Sequence, residues 1–322
     1  MKKIAVFTSG GDAPGMNAAI RSAVRTALYH GVEICGIMGG YQGLIDGNII
    51  EMNSQSVANI IQRGGTILKT SRSEEFRTTE GRVKAAVNVK KYGIEGLVAI
   101  GGDGTFTGAE IFYNETGITV MGVPGTIDND LFGTDYTIGF DTAVNTAIDA
   151  IDKIRDTADS HNRTFFVEVM GRHAGFIAMD VGICGGAEAI LLPDIPTDMD
   201  ELVRFFTTDK KKQKSFSIVV VAEGDDAGGA FTIVEKLKVL IPEFDARLSV
   251  LGHIQRGGKP SAYDRLMGSR LGSAAVVELI EGVTNKMVGI VSNELILTSF
   301  HEAINQKKKV DVSLLKLAKM LA

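Results

Sequence analysis

Glycines and carboxylates recur together in the first half of the sequence, a combination suited to binding phosphate. Residues 10–15, GGDAPG, stand directly before a helical pattern. Such a run would leave backbone N–H groups and the positive end of a helix dipole open to a phosphate. Glycines that follow a strand equally form tight turns, so this run alone is compatible with either role.

A second run, residues 101–105 (GGDGT), combines bare backbone with one carboxylate and one hydroxyl. A carboxylate is the hard oxygen ligand that a magnesium–nucleotide complex needs, so Asp103 is the candidate metal ligand. The dinucleotide fingerprint does not fit, because Gly108 stands one residue beyond the position it requires. The sequence also lacks the Gly-x-x-x-x-Gly-Lys loop and the His-Arg-Asp signature, which excludes the two commonest phosphoryl-transfer architectures.

A third run, residues 124–130 (PGTIDND), places Asp128 and Asp130 two positions apart after an apolar segment. A carboxylate in this place could act as the general base that takes the proton of a hydroxyl nucleophile. The alternative is an Asx turn that these aspartates cap themselves. Asp12 and Asp103 also follow predicted strand ends, and this convergence favours a common site.

Cationic side chains gather around later predicted strands, at Arg163, Arg172, Arg247, His253 and Arg256. Arginine pairs with two phosphate oxygens at once and can stabilise the charge of a transferring phosphoryl group. Taken singly, each arginine could be a surface residue and His253 a hydrogen-bonded interior histidine. The five histidines show no His-x-x-x-His spacing, so no zinc site is predicted.

Short apolar runs that alternate with helical patterns must position these loops. Strands are predicted at residues 3–8, 97–101, 120–123, 165–170, 218–222 and 249–252. This alternation predicts mainly parallel sheets covered by helices on both faces, with ligands at the carboxyl ends of the strands. An amphipathic helix over residues 140–158 looks like the start of a second lobe.

Composition and charge narrow the class of protein. The chain has 322 residues, 34 Lys and Arg against 39 Asp and Glu, and a formal charge of −5. No global positive field attracts nucleic acid or anionic lipid, and no apolar run reaches the roughly 18 to 20 residues of a membrane span. Cys35 and Cys184 form no Cys-x-x-Cys pair, and no signal peptide is recognisable at the start. We therefore expect a cytoplasmic protein without nucleic-acid or membrane partners.

In this order the loops resemble the bacterial type of the ATP-dependent 6-phosphofructokinase family, over essentially the whole chain. The segments that carry the resemblance are residues 8–17 (TSGGDAPGMN), 101–105 (GGDGT), 124–130 (PGTIDND), 170–175 (MGRHAG) and 251–258 (LGHIQRGG). The resemblance implies two Rossmann-like three-layer αβα domains with mainly parallel sheets and an active site in the cleft between them. It implies a larger ATP-binding domain of residues 1–139 and 257–304, and a smaller sugar-phosphate domain of residues 140–256 and 305–322.

The same resemblance implies roles for individual residues. The ATP site, with Mg²⁺ on Asp103, would comprise Gly11, Arg72, Ser73, Gly102, Asp103, Gly104 and Thr105. The catalytic set would be Asp128 as general base, Arg172, Thr126, Gly11 and Arg72. Fructose 6-phosphate would be bound by Thr126, Ile127, Asp128, Arg163, Met170, Gly171, Arg172, Glu223, Arg247, His253, Ile254, Gln255 and Arg256.

The resemblance further implies a homotetramer, in which Arg163 and Arg247 reach the sugar phosphate of a neighbouring subunit. An effector site for ADP or phosphoenolpyruvate would use Arg21, Arg25, Arg155, Gly186, Glu188, Lys212 and Lys214. The chain departs from the family pattern at Ser54, Phe216 and Lys69, which leaves the effector open.

The expected reaction is the ATP-dependent phosphorylation of fructose 6-phosphate at its 1-hydroxyl, the committing step of glycolysis, under allosteric control. Pyrophosphate-using relatives carry Asp where this chain has Gly104 and Lys where it has Gly125. Bare backbone at both positions would leave room for the bulkier ATP. The alternatives are a pyrophosphate-dependent or differently specific sugar-phosphate kinase, and a catalytically silent subunit that senses nucleotide.

Overall fold

Strands and helices alternate along the part of the chain that this computed structural model describes, residues 1–161, 163–207 and 216–321. The strands are β1 (Lys3–Thr8), β2 (Glu33–Ile37), β3 (Ile49–Met52), β4 (Gly96–Gly101), β5 (Thr119–Thr126), β6 (Ile138–Gly139), β7 (Thr164–Val169), β8 (Ala189–Leu191), β9 (Ser217–Ala222), β10 (Ala246–Val250), β11 (Lys286–Val291) and β12 (Glu294–Ser299). The helices are α1 (Met16–Tyr29), α2 (Gly40–Asp46), α3 (Thr79–Lys91), α4 (Asp103–Thr116), α5 (Phe140–His161), α6 (Phe176–Cys184), α7 (Met199–Thr207), α8 (Ala230–Leu240), α9 (Ala262–Ile280), α10 (Phe300–Asn305) and α11 (Ser313–Leu321).

The chain divides into two units. Unit 1 comprises Met1–Ile127, Leu131–Thr142 and Arg256–Lys308, and unit 2 comprises Asp128–Asp130, Ala143–Gln255 and Lys309–Ala322. The chain therefore passes from unit 1 to unit 2 within the third loop and returns after Asp130. It enters unit 2 again inside α5, returns to unit 1 between Gln255 and Arg256, and enters unit 2 a third time after Lys308.

Unit 1 is built on one sheet with the strand order β12-β11-β5-β4-β1-β2-β3, to which β6 adds by pairing with β5. The β11–β12 and β2–β3 pairs are antiparallel, and the other pairs are parallel. β4 is buried along its whole length, as expected of a central parallel strand with helices on both faces. Phe7, Phe106, Phe112 and Phe300 are fully buried in this unit.

Unit 2 is built on a smaller sheet with the order β10-β7-β9-β8, and all of its strand pairs are parallel. Its core joins the buried face of this sheet to α7 and α8 through Phe166, Val219, Val221, Leu202 and Ile233. The carboxyl ends of β7 and β9 carry Met170 and Glu223, so the loops of interest leave the sheet at one edge.

The sequence-based prediction of an α/β fold with mainly parallel sheets is confirmed. β1 and α1 have the predicted bounds, whereas β10 begins at Ala246, earlier than the predicted start at residue 249. The prediction started too late because Arg247 interrupts the apolar pattern of this edge strand. Within the described part of the chain, no helix is long and apolar enough to cross a membrane.

Candidate active site

The first glycine loop ends in the amino terminus of α1 and has Arg256 against it. Gly10 and Gly15 have φ values of +84° and +109°, a region that favours glycine. A Cβ at Gly11 would lie 2.6 Å from Nη1 of Arg256, and this guanidinium donates to the carbonyl oxygen of Asp12 at 3.2 Å. Gly11 therefore makes room for an arginine on the loop, an additional reason for glycine at this position.

The second glycine loop leads into α4 and exposes its carboxylate. Asp103 is the first residue of α4, Gly102 precedes it, and both Asp103 and Gly104 are exposed. Thr105 is buried, and its hydroxyl donates to the carbonyl oxygen of Ser9 at 3.2 Å. The Thr105 side chain thus ties the second loop to the end of β1.

Asp103 fits the role of a magnesium ligand that shares the ion with phosphates. Among the described residues, no group of three or more His, Cys, Asp and Glu side chains could hold a metal ion. Mg²⁺ is commonly bound by one or two protein carboxylates together with substrate phosphates. A single exposed carboxylate at a helix amino terminus can therefore supply the protein ligand while the phosphates supply others.

The segment before Arg72 is fastened to the first loop by side-chain hydrogen bonds. The hydroxyl of Thr8 donates to the carbonyl oxygen of Lys69 at 2.9 Å, and the hydroxyl of Thr70 donates to that of Gly10 at 2.7 Å. Lys69 has a φ of +58°, which costs a side-chain-bearing residue about 1–2 kcal/mol. Lys69 therefore holds a backbone conformation that favours glycine. Arg72 is exposed, and the hydroxyl of Ser73 donates to Gln42 at 2.7 Å.

Gly104 and Gly125, the two positions related to the choice between ATP and pyrophosphate, differ in their surroundings. A Cβ at Gly104 would meet nothing within 4 Å, so this position leaves open space. A Cβ at Gly125 would lie 2.9 Å from Cγ2 of Ile100 and 3.2 Å from Cε of Met16. The steric expectation holds at Gly104, but it is wrong for the Cβ direction at Gly125, where the core of unit 1 fills the space.

In unit 2, the candidate base stands beside an arginine. Asp128 is 3% exposed, and Nε of Arg172 lies 3.7 Å from its Oδ2 atom, while the arginine side chain is 52% exposed. A buried carboxylate beside a half-exposed guanidinium can take a proton while the arginine reaches an anionic ligand. The structure therefore brings together the two residues on which the predicted chemistry depends most.

Glu223 holds the turn that carries Arg172. Its Oε1 accepts hydrogen bonds from the backbone N–H of Arg172 at 2.8 Å and of Gly171 at 3.3 Å. Arg172 has a φ of +53°, and a Cβ at Gly224 would lie 1.8 Å from its carbonyl oxygen. Non-glycine residues in this conformation cost of order 1–3 kcal/mol and cluster at functional sites.

Gln255 supports the site from inside unit 2. Its side chain is fully buried, and Oε1 accepts the backbone N–H of Met170 at 2.9 Å. Within the part of the chain that the structure describes, its buried Nε2 has no hydrogen-bond partner, an exception among buried polar groups. Of the neighbouring residues that the resemblance assigns to the sugar, His253 and Ile254 are exposed, whereas Gln255 is fully buried.

Arg163 and Arg247 meet at an acid that the sequence reasoning missed. Nη1 of Arg247 lies 2.6 Å from Oδ1 of Asp245, and Nε of Arg163 lies 3.7 Å from Oδ2 of the same carboxylate. The arginines approach because β10 and β7 are neighbouring parallel strands. Asp245 precedes Arg247 by two positions, and the period of a strand could have indicated that both point the same way.

The implied effector residues are brought together in part. Nη2 of Arg155 donates to the carbonyl oxygens of Gly186, at 2.8 Å, and Gly185, and its guanidinium lies over the ring of Phe216 at 5.5 Å. Oε2 of Glu188 accepts the N–H of Ile218 at 2.7 Å. Arg21 and Arg25 lie on α1 of unit 1, and Lys212 and Lys214 lie outside the described residues.

Comparisons with known proteins agree with these features. A family model described as phosphofructokinase matches residues 3–279. The chain is 58% identical over 322 residues to ATP-dependent 6-phosphofructokinase 1 of Thermus thermophilus, covering 100% of both chains. It is 55% identical over 321 residues to the ATP-dependent 6-phosphofructokinase of Cytophaga hutchinsonii, covering 100% of this chain and 98% of the relative.

Solved structures show the same fold. Phosphofructokinase of Saccharomyces cerevisiae superposes with a TM-score of 0.88 at 36% identity, over 94% of this chain and 45% of the yeast chain. A pyrophosphate-dependent phosphofructokinase of Marinobacter aquaeolei superposes with a TM-score of 0.84 at 24% identity, over 97% and 86%, and supports the fold alone.

The parallel α/β units, the carboxylate-bearing glycine loop and the Asp128–Arg172 pair define a kinase of α/β architecture. This chain belongs to the phosphofructokinase family.

Proposed function

We propose that this chain transfers the terminal phosphoryl group of ATP to the 1-hydroxyl of fructose 6-phosphate, giving fructose 1,6-bisphosphate and ADP. The buried Asp128 paired with Arg172 carries the proposal, because it supplies a base and an anion-stabilising group in one place. Relatives at 55% and 58% identity are ATP-dependent 6-phosphofructokinases, and this supports the same reaction here. The reaction is the committing step of glycolysis, which fits the expected cytoplasmic location.

On the acceptor side, Asp128 takes the proton of the sugar's 1-hydroxyl. The hydroxyl oxygen bonds to the γ-phosphorus of ATP, and the bond between this phosphorus and the bridging oxygen of ADP breaks. Such general-base help contributes roughly 10²- to 10⁴-fold to the rate. Arg172 donates to the oxygens of the transferring phosphoryl group, where negative charge is spread in the transition state. Glu223 orients this arginine by holding its backbone. Thr126 and Ile127 lead into Asp128, and Met170 and Gly171 lead into Arg172.

On the donor side, Gly11 and residues 102–104 would offer backbone N–H groups to the phosphates of ATP, whereas the N–H of Thr105 donates to the carbonyl oxygen of Gly102 at 3.0 Å. Thr105, Arg72 and Ser73 are assigned to the same site by the family resemblance. Asp103 would hold Mg²⁺, which when bound neutralises charge on the β- and γ-phosphate oxygens. The exposed carboxylate and the open space at Gly104 support this assignment.

The grip on the sugar phosphate is assigned to cations, with Arg163 and Arg247 acting in a neighbouring subunit of a homotetramer. The approach of both arginines to the same carboxylate, Asp245, supports a joint role, since it brings two guanidinium groups into one neighbourhood. His253, Ile254 and Arg256 complete the sugar site, with Gln255 as its support. The larger ATP-binding domain is assigned to residues 1–139 and 257–304, and the smaller sugar-phosphate-binding domain to residues 140–256 and 305–322.

Regulation by ADP or phosphoenolpyruvate is proposed at the cluster of Arg155, Gly186 and Glu188. Arg21, Arg25, Lys212 and Lys214 would complete the site. The stacking of Arg155 on Phe216, where the family commonly has a polar residue, ties up one face of the guanidinium. We therefore expect an effector response that differs in strength from that of relatives with a polar residue there.

The donor is tested by measuring fructose 1,6-bisphosphate formed from fructose 6-phosphate and Mg²⁺ with ATP or with pyrophosphate. We expect product with ATP alone, and a fall of roughly 10²-fold or more in ATP-dependent kcat/KM for Gly104→Asp, because a second carboxylate would enter space beside the phosphates. Gly104→Ala is the matched control, which adds a methyl group in open space and no charge. Turnover with pyrophosphate would contradict ATP as the donor. A Gly104→Asp enzyme with wild-type activity would show that the open space at Gly104 does not determine the use of ATP.

Sharing of sites between subunits is tested with Arg247→Ala. We expect this change to raise KM for fructose 6-phosphate by roughly 10-fold or more, since a charged hydrogen bond to the phosphate is lost. Mixed oligomers of Arg247→Ala and Asp128→Asn subunits should recover activity, because some sites would then combine an intact Asp128 with an intact Arg247. Mixtures of Asp128→Asn with Arg172→Ala should recover none, since these residues pair within one chain. No recovery in verified mixed oligomers of the first kind would contradict sharing through Arg247.

A further inference from the structure

Asp264 is a buried carboxylate in unit 1 that the proposed chemistry does not use. It is 0% exposed and lies in the first turn of α9, where its N–H donates to the capping hydroxyl of Ser261 at 3.1 Å. Its two carboxylate oxygens receive three hydrogen bonds from residues at the start of α5. Gly139 N–H donates to Oδ1 at 2.7 Å, and the N–H and hydroxyl of Thr142 donate to Oδ2 at 2.8 and 2.5 Å.

This carboxylate caps α5 from another element. Thr142 is in the first turn of α5, where backbone N–H groups have no partner within the helix, and a negative charge there is favoured by the helix dipole. The hydroxyl of Thr142 also accepts the N–H of Ser261 at 2.9 Å. This hydroxyl therefore both donates to and accepts from residues at the start of α9. The start of α5 is therefore fixed to α9 through one aspartate.

The residues held by Asp264 are paired with the loop that leads to Asp128. Gly139 belongs to β6, whose partner is the end of β5, in the register Ile138 opposite Gly125 and Gly139 opposite Thr126. The hydroxyl of Thr137 donates to the carbonyl oxygen of Thr126 at 2.6 Å. A displacement of Gly139 would therefore also displace its strand partner Thr126, two residues before the candidate base.

The first glycine loop packs against the same place. A Cβ at Gly15 would lie 2.6 Å from Cγ2 of Ile138 and 3.3 Å from Cβ of Asp264. A Cβ at Gly139 would lie 2.6 Å from Cβ of Ala13. Asp264 therefore lies under the meeting point of the first glycine loop and the strand that precedes Asp128.

Stability alone does not account for a charge at this position. Burial raises the pKa of Asp264 to about 6 although Thr142 and Gly139 lower it by hydrogen bonding, and neighbouring Asp141 raises it further. A raised pKa in the folded state means that the proton stabilises the fold below the ordinary carboxyl pKa, and this stabilisation is lost as the pH rises through 6. At neutral pH the fold thus holds an ionised group at a cost, which suggests a role beyond stability.

We propose that Asp264 is a positioning residue for the phosphoryl transfer, which fixes β6 and the start of α5 so that the Thr126–Asp128 segment is held for catalysis. The expected effect on turnover rests on the proposed function. The expected effect on the backbone depends only on the hydrogen bonds that Asp264 accepts.

The test compares Asp264→Asn with the wild type in two measurements. An asparagine keeps the size but can accept at one atom instead of two, so it cannot serve Gly139 and Thr142 together. We expect kcat for fructose 6-phosphate phosphorylation to fall by roughly 10²-fold, as for a small misplacement of a reacting group, with KM for ATP changed far less. We also expect faster amide hydrogen exchange in peptides covering residues 124–130 and 137–142, with β9 in unit 2 as the unchanged reference.

A second pair of variants keeps the inference testable if Asp264→Asn does not fold. Thr142→Val removes the hydroxyl at nearly constant shape, whereas Thr142→Ser retains it, so turnover and exchange protection should fall in the first and be kept in the second. Unchanged turnover in folded Asp264→Asn, or equal behaviour of Thr142→Val and Thr142→Ser, would overturn the positioning role. A silent wild type would instead overturn the proposed function, while hydrogen exchange would still decide whether Asp264 holds the backbone.

Discussion

Asp128→Asn is expected to lower kcat by roughly 10²- to 10⁴-fold, with KM for fructose 6-phosphate and for ATP much less affected. The amide keeps the shape of the side chain but cannot take a proton from the 1-hydroxyl. A sugar hydroxyl has a pKa far above neutrality, so without a base its proton must leave for water as the bond to phosphorus forms. The measurement is steady-state kinetics of fructose 1,6-bisphosphate formation with both substrates varied.

The matched control for this variant is Asp152→Asn. It makes the same chemical change on the exposed face of α5, where the side chain has no assigned role. We expect wild-type kinetics from this control. An Asp128→Asn enzyme with unchanged kcat would exclude Asp128 as the base, and a large rise in KM with unchanged kcat would assign it to substrate binding instead.

Arg172→Ala is the change with the second-largest expected effect, a fall of roughly 10²- to 10³-fold in kcat. Its guanidinium is half exposed beside the buried Asp128, the arrangement required to reach a transferring phosphoryl group while standing next to the base. Arg172→Lys keeps the charge but loses the planar fork, so it should recover part of the activity. Kinetics of both variants under the same conditions provide the comparison.

Backbone strain at Arg172 must be separated from the loss of its side chain. Alanine at a φ of +53° carries the same strain as arginine, so Arg172→Ala should unfold thermally close to the wild type. The double variant Asp128→Asn with Arg172→Ala should lose less than the two single losses combined, because residues that act together in one step are not additive. Full additivity would indicate that the two residues act in separate steps.

Local sequence was sufficient for the order of strands, loops and helices that carry the candidate site. The bounds of β1 and α1 and the glycine loops after β1 and β4 were predictable, because side-chain periodicity and glycine act over a few residues. Family resemblance added residue roles, and two of the residues concerned, Asp128 and Arg172, lie beside each other in the structure.

Other features could not be predicted because they depend on what packs against a residue. Gly125 was predicted to leave space for a donor, but its neighbours in the core are Ile100 and Met16, from two other elements. Gln255 is among the residues that the resemblance assigns to the sugar, and the structure adds that it is buried and accepts the backbone N–H of Met170. Neither neighbour can be inferred from spacing along the chain.

The sequence by itself determined the α/β class and the chemistry available at the strand ends. These follow from hydrophobic periodicity and from the types of the side chains in each loop, which do not depend on distant parts of the chain. Only the tertiary structure decided which groups lie together: Arg172 beside Asp128, Arg163 and Arg247 at Asp245, and Asp264 at Gly139 and Thr142. The reason is physical, since hydrogen bonds and ion pairs require approach within a few ångström, and the path of the backbone through the sheets sets that approach between residues far apart in sequence.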